Sequence, residues 1–369
     1  MISPKLIRFA GCMVLGFTIT LTWSASAWSQ TFTILYGFKG RREAEASALV
    51  RDAAGNLLGI CAERLYRIDP DNNKVTLLEF SRAAGKPTSL IMDDLGNVYG
   101  TTYPGGVFDA GILFRISPAG EPTALYDFGP QLVFAYVMAR DARGSLYGLT
   151  EGGGDSNQGA LFKFDKDGTY TTLHSFDGVG GALPLRVIRD RAGNLFGITQ
   201  QGGAYGFGTI FKLSKDLTYT VLYSFQGLPD GALPSDLFLD ASGDLYGATT
   251  GGGASNHGTV FKLTKAGEYS QLYYFRGGQF DGWYPTSIVV DEFGTVFGTT
   301  DTIMGDGKYH LGSLFKIDPS GTQTVLHGFN ANEGYPPNHL IMDQAGNLYG
   351  TTSSGGTNDI GMVFRWSPQ

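Results

Sequence analysis

One phrase, Asp-x-x-Gly-Asn-Leu-Tyr-Gly, recurs seven times with drift along this 369-residue chain, and it limits the fold more than any other feature. Its first residues are Asp52, Asp93, Asp141, Asp190, Asp240, Asp291 and Asp343, spaced 41 to 52 residues apart. A second phrase, Gly-Thr-Ile-Phe-Lys-Leu, places an aromatic at Tyr66, Phe114, Phe162, Phe211, Phe261, Phe315 and Phe364. A third, Thr-x-Leu-Tyr-x-Phe, ends at Phe38, Phe80, Phe128, Phe176, Phe225, Phe275 and Phe329. These phrases are short, rich in β-branched and aromatic residues, and bounded by Gly, Asp or Pro, which is the pattern of strands. A fourth apolar run ends on each repeated Asp. Each unit therefore holds four strands: A before the Asp, then B (Asn-Leu-Tyr-Gly), C (Thr-Ile-Phe-Lys) and D (Thr-x-Leu-Tyr-x-Phe). Fixed-period self-similarity is the signature of stacked or radial repeats.

Four strands in roughly 49 residues predict a β-propeller blade, and seven copies predict seven blades. After the leader the chain begins with a lone strand D at 31–38 and ends with A, B and C and no D. The expectation is an all-β, seven-bladed β-propeller with four antiparallel strands per blade. Strand 31–38 would complete the last blade and remove the open sheet edge. Composition agrees. Gly accounts for 55 residues without a three-residue period, which excludes collagen. At 42% hydrophobic and 17% charged, the chain is too apolar to be disordered.

The run Leu245 to Gly253, continued by Gly258-Thr-Val-Phe-Lys-Leu263, resembles the repeat named after gloeobacterial and verrucomicrobial proteins, the GloVer repeat. The resemblance covers the chain beyond its leader. Blade 1 departs from it, because Leu57 to Tyr66 lacks the Gly-Gly loop. The resemblance implies an exported bacterial propeller-like protein and carries no activity with it.

Residues 1–27 read as a signal peptide, with Lys5 and Arg8, an apolar stretch from Phe9 to Trp23, and Ala25-Ser-Ala27 for cleavage. The mature domain is expected at 28–369 as a single propeller, secreted or periplasmic. Its net charge would move from −7 to −9, which argues against nucleic acid and anionic lipid as partners. Cys12 leaves with the leader, so Cys61 has no partner for an internal disulfide and is expected to be a buried small apolar residue.

Loop lengths separate two faces. The A–B turns are Asp-x-x-Gly hairpins and the C–D turns, such as Asp165-Lys-Asp-Gly168, are similarly short, whereas B–C loops such as 202–208 and 301–312, and D–A loops such as 227–234, are long. All the variable loop material therefore lies on one face, where binding residues concentrate. Four residues before the repeated Asp stand Ala48, Ser89, Val137, Arg186, Asp236, Ser287 and His339. Strand A lines a propeller channel, so Arg186, Asp236, Ser287 and His339 are expected to meet at its mouth. They would form either a ligand site or a solvated lining with a salt bridge. Tyr205, Phe207, Asp230, Asp281, Trp283, Tyr284, Tyr309 and Tyr335 are expected on the loop rim. There aromatic faces beside carboxylates suit sugar stacking, and packing between blades would explain the same residues.

The repeated Asp residues read as turn formers accepting backbone N–H bonds, not as metal ligands, since they stand one per blade. The bases after each strand-C aromatic, Arg67, Arg115, Lys163, Lys212, Lys262, Lys316 and Arg365, are expected to pair with that Asp ring. No cofactor and no metal site is expected, and no catalytic residue is assigned. The sequence points to a binding module for a carbohydrate or surface ligand, working as a monomer. A metal-dependent hydrolase or lyase at the channel mouth, or a structural adhesion protein, are the alternatives.

Overall fold

The computed structural model describes residues 30–40, 43, 46–277, 281–301, 303–305, 308–356 and 358–368. The expected signal peptide at 1–27 lies outside the described residues. Seven antiparallel four-stranded sheets follow one another around a ring, each in the order A-B-C-D. Blades 1 to 6 span 49–79, 86–127, 135–175, 182–224, 232–274 and 285–328. Blade 7 joins the two ends of the chain. Its A, B and C strands are Tyr335–Met342, Leu348–Ser354 and Met362–Ser367, and strand D is Thr31–Gly37. Thr31 pairs with Ser367 and Gly37 with Met362. The seven blades and the N-terminal closure are as the repeat predicts.

Packing between blades follows from the two repeated aromatics. The Phe that ends strand D of one blade meets the strand-C aromatic of the next. Ring centroids are 5.0 Å apart for Phe80–Phe114, 5.3 Å for Phe176–Phe211 and 5.2 Å for Phe225–Phe261. The pairs Phe128–Phe162, Phe275–Phe315 and Phe329–Phe364 continue the series, and Phe38–Tyr66 closes it at 5.4 Å. Most of these contacts are edge-to-face, the geometry that a ring quadrupole favours. Both aromatic sets are buried in every blade.

The glycine of each strand B has a definite job. Gly247 stands directly opposite Phe261, and a Cβ on Gly247 would lie 2.1 Å from the ring tip. Gly197 with Phe211 and Gly350 with Phe364 repeat the arrangement, at 2.4 Å each. Glycine here makes a slot into which the strand-C ring lies flat across its own sheet.

One detail bears out the departure read in blade 1, and a second was not expected. The B–C connection of blade 1 is a two-residue turn, Ala62-Glu63, with Ala62 in the left-handed region at φ 45°. The B–C loop of blade 6 carries an extra hairpin, Ile303–Gly305 with Lys308–His310. Cys61 is fully buried, and burial pushes its thiol up to about 12, in line with a packing role.

Adding a methyl at Gly247 forces it into a buried ring, so Gly247→Ala should cost roughly 1–3 kcal/mol, the usual scale for overpacking. Phe261→Ala should cost about 3–5 kcal/mol. Denaturant midpoints of the two variants check both values. Removing residues 31–38 should leave strand Met362–Ser367 with a bare edge and give a protein that aggregates on size-exclusion chromatography. A soluble monomer with an unchanged thermal midpoint would contradict the closure role.

Candidate functional site

Strand A is innermost in every blade, and the seven A strands enclose a cavity of about 420 Å³. Its wall includes Ala48, Ser89, Val137, Arg186, Asp236, Ser287 and His339, one from each blade. The four residues expected to meet at the channel are therefore brought to one cavity, on adjacent blades. Blades 4 to 7 make its wall polar, and blades 1 to 3 contribute small or apolar side chains at the same level. Farther toward the short turns the wall is apolar, with Val50, Ile91, Ile188 and Ile341.

The four polar residues are not equivalent. Asp236 is buried at 5% exposure, and its oxygens are claimed on every side. The backbone N–H of Leu237 donates to Oδ1 at 2.9 Å, and that of Ile288, in the next blade, donates to Oδ2 at 2.9 Å. The Ser287 hydroxyl donates to Oδ2 at 3.2 Å. Ser287 in turn accepts the Leu340 N–H of blade 7 at 3.1 Å, just as Ser89 accepts the Val137 N–H at 3.0 Å. These side chains stitch one A strand to the next by satisfying N–H groups that the channel wall would otherwise leave bare.

Arg186 and His339 are left with polar atoms for the channel. Arg186 Nε lies 3.2 Å from Asp236 Oδ1, but off the N–H axis, so the pair is Coulombic and is not a hydrogen bond. Among the described residues no acceptor takes any guanidinium N–H of Arg186. His339 sits in the left-handed region at φ 45°, uncommon for a residue with a Cβ. Its side chain is solvent-accessible within the channel, which the seven A strands enclose. Desolvation there, reinforced by the Arg186 charge and opposed by Asp236, lowers its pKa from 6.5 to about 4. Its exposure to the channel tempers that shift, and any lowering leaves the imidazole mostly neutral at pH 7.

The rim lies where the long loops reach the start of strand A. Phe134, Leu183, Leu233 and Tyr284 stand seven residues before the repeated Asp, and all four have φ between 52° and 54°. The preceding blade's B–C loop holds three of them, since Gln158, Phe207 and His257 carbonyls accept the N–H of Leu183, Leu233 and Tyr284. Phe134 stacks on Tyr103 at 3.8 Å. Sequence reading found Tyr284 and missed Phe134 and Tyr103, although the seven-residue offset marks Phe134 and Tyr284 as counterparts. Tyr205 and Phe207 are exposed at 57% and 42%. Trp283 is half-buried, stacking on His257 at 5.1 Å over Gly277, and so packs into the junction of blades 5 and 6. Tyr335 begins strand A of blade 7 and is half-buried. Tyr309 is in the extra hairpin, and its side chain lies outside the described residues.

The two rim carboxylates are tied to their own loops. Asp230 accepts the Tyr223 hydroxyl and the Gln226 N–H, and Asp281 accepts the Tyr273 hydroxyl and the Arg276 N–H. Each clamps a D–A loop onto strand D. Glu333 does the same through His327. Among the described residues no three His, Cys, Asp or Glu side chains gather to hold a metal ion.

On the opposite face the Asp ring caps turns as expected. Asp93 Oδ1 accepts the N–H groups of Leu95 and Asn97 at 3.0 and 2.8 Å. Burial opposes its ionisation, but the Asn97 amide, these N–H groups and Arg140 outweigh that and hold the carboxyl below its ordinary range. The expected pairing with the strand-C bases needs correction. The ion partners that the structure shows for this ring come from strand A of the next blade, Arg140 with Asp93 at 3.8 Å and Arg51 with Asp343 at 3.9 Å. Lys163 and Lys262 pair with Asp165 and Asp244 instead, at 2.7 and 2.8 Å. The Tyr of strand B explains this. Tyr147 stands directly opposite Lys163, and its hydroxyl occupies the route to Asp141.

Fold and site define a closed seven-bladed propeller with a polar channel mouth. The chain belongs to the Gloeobacter/Verrucomicrobia repeat family, which matches residues 15–188 and 134–364. Among solved structures, a streptogramin B lyase is 14% identical over 94% of this chain and 100% of its own, with a TM-score of 0.67. A virginiamycin B lyase from Staphylococcus aureus, solved with quinupristin, is 11% identical over 92% and 99%, also at 0.67. The extracellular domain of a one-component system from B. thetaiotaomicron is 12% identical over 91% of this chain but 40% of that one, at 0.63. At such identities the likeness is one of fold. No curated protein matches the chain. Among the described residues no helix is long and apolar enough to cross a membrane.

Since the His339 pKa is depressed when folded, the unfolded chain binds more protons between pH 4 and 6.5. This contribution to stability is complete above pH 6.5 and fades as pH falls toward 4. The thermal midpoint of the wild type should therefore drop more steeply across that window than that of His339→Asn. Parallel curves would mean that His339 titrates normally.

Proposed function

We propose that the protein is an exported, monomeric binding module that takes a carbohydrate or cell-envelope ligand on its long-loop face. One observation carries this reading. Exposed aromatic and apolar side chains, Phe134, Tyr205, Phe207, Leu233 and Tyr284, gather on the face that opens onto the polar channel wall. A rigid scaffold that displays such side chains beside hydrogen-bonding groups suits stacking on sugar rings. The leader, with Lys5, Arg8 and Ala25-Ser-Ala27, supports export. A fold shared with extracellular domains agrees with it. The acidic net charge of −7 disfavours nucleic acid and anionic lipid.

Binding of the secreted chain to an array of bacterial and plant polysaccharides tests the reading. Tyr284→Ala and Phe207→Ala should each weaken retention roughly 2- to 13-fold, the value of one aromatic contact at about 0.5–1.5 kcal/mol. Retention unchanged in the double variant would move the site off this rim. Intact mass should place the mature N-terminus at Trp28.

A metal bound only by the folded state raises stability by about 2.7 kcal/mol at a hundredfold excess over Kd. The thermal midpoint in EDTA and in millimolar Ca²⁺ should therefore coincide. A clear rise with Ca²⁺ would overturn the metal-free reading.

A further inference from the structure

The channel mouth holds a cation whose donors the protein leaves unused, and this points to the charge of the ligand. Arg186 is the only Lys or Arg among the residues lining the cavity, and its side chain is 42% exposed there. Asp236 lies 3.2 Å from Nε, and the other contacts of that carboxylate fix it to Leu237, Ser287 and Ile288. The carboxylate thus anchors the guanidinium by charge and consumes none of its N–H groups. The Nε is buried against Asp236, so the exposed part of the side chain lies beyond it, on the channel side. A guanidinium presents its N–H groups as a fork that matches a carboxylate or a phosphate.

Three features of the wall narrow the choice. Asp236 already places one negative charge against Arg186, so a monoanion is tolerated where a dianionic phosphate would be repelled. The neutral His339 offers one donor and one acceptor, the pair that a sugar hydroxyl uses. On the other side Ala48, Ser89 and Val137 are small enough to leave room. At about 420 Å³ the cavity lies low in the range of small-molecule sites, sized for a terminal ring and not for a polymer passing through.

We infer that the channel mouth takes the carboxylate of a sugar acid, a uronate-type terminal residue, with Arg186 on the carboxylate, His339 on a ring hydroxyl and the rim aromatics on the sugar behind it. The inference rests on the carbohydrate reading above and adds the ligand's charge.

Titration calorimetry of the full secreted chain with trigalacturonate, neutral galactotriose and acetate separates the cases. Trigalacturonate should bind at least 10-fold more tightly than galactotriose and weaken several-fold between 50 and 500 mM NaCl, as screening requires. Arg186→Lys keeps the charge and loses the fork, and should cost at least 10-fold. A double change, Arg186→Gln with Asp236→Asn, removes both charges and so leaves no unpaired carboxylate. It should abolish the preference for the acid, with circular dichroism confirming the fold. Equal binding of the acidic and neutral sugars, or an unchanged Kd in Arg186→Lys, would overturn the inference and leave the carbohydrate reading intact. Acetate binding as tightly as trigalacturonate would overturn the sugar as the source of the carboxylate. Binding of neither sugar would overturn both readings.

Discussion

A single contact, repeated seven times, holds the ring: an aromatic at the end of strand D meets the strand-C aromatic of the next blade. It works because a glycine in strand B lets the second ring lie flat on its own sheet. Any side chain at Gly247 or Gly197 would lift that ring and wedge the blades apart. Each pair adds about 0.5–1.5 kcal/mol beyond the area it buries. The larger consequence is geometric, since blades that touch only their neighbours draw stability from each interface in turn and an open ring would lack one of them. Six interfaces join successive blades along the chain. The seventh, Phe38 on Tyr66, exists because the N-terminal strand pairs with Met362–Ser367 and delivers Phe38 to blade 1. Closure and packing are one event here. Among the described residues the one cysteine, Cys61, is buried and free, so this packing holds them together without a disulfide.

The same closure dictates what the channel can offer a ligand. Seven A strands brought side by side expose N–H groups between blades, and these must be answered. Ser89, Asp236 and Ser287 answer them by accepting from the following blade. Thr88, Ser235 and Thr286 do the complementary work, donating hydroxyls to carbonyls of Ala135, Pro285 and Pro337. Most polarity on the wall is thus spent on the wall itself. Arg186 and His339 remain, Arg186 between Val137 and Asp236 and His339 between Ser287 and Ala48.

Much of this was legible in the sequence because a repeat reports on itself. Seven Asp-x-x-Gly turns, seven aromatics and one displaced strand D specify blades, faces and closure without any tertiary information. Partners across blades were harder to read. The strand-C bases looked like partners of the Asp ring because both occur once per unit on the same face. Their actual partners depend on Tyr147 and its counterparts standing between them, and on an Arg reaching over from the next strand A. The rim carboxylates Asp230 and Asp281 looked free in a loop. Their hydroxyl donors, Tyr223 and Tyr273, lie back in strand D, across a turn whose path the sequence does not disclose. Asp236 was rightly placed in the channel. Its binding to the Ile288 N–H follows from the angle between blades, which no local pattern encodes.

A perfect sevenfold ring presents the same groups in every direction and cannot orient an asymmetric ligand. Recognition must therefore reside where the repeat breaks, and the breaks fall together. Arg186, Asp236 and His339 replace small residues at one level of the wall, on the half formed by blades 4 to 7. Above that half stand the rim residues of blades 4 to 6, gripped by the B–C loops before them. Blade 1, across the channel, has lost its B–C loop to the turn at Ala62-Glu63, which lowers the rim on that side. Charge and rim height vary across the channel, while the rim aromatics continue onto blades 2 and 3 through Tyr103 and Phe134. Packing alone would spread such departures evenly, because every interface carries the same aromatic contact. The polar departures on blades 4 to 7 give the wall a direction, and the proposed ligand would set its polar end at Arg186 with its ring faces toward Tyr284 and Phe207.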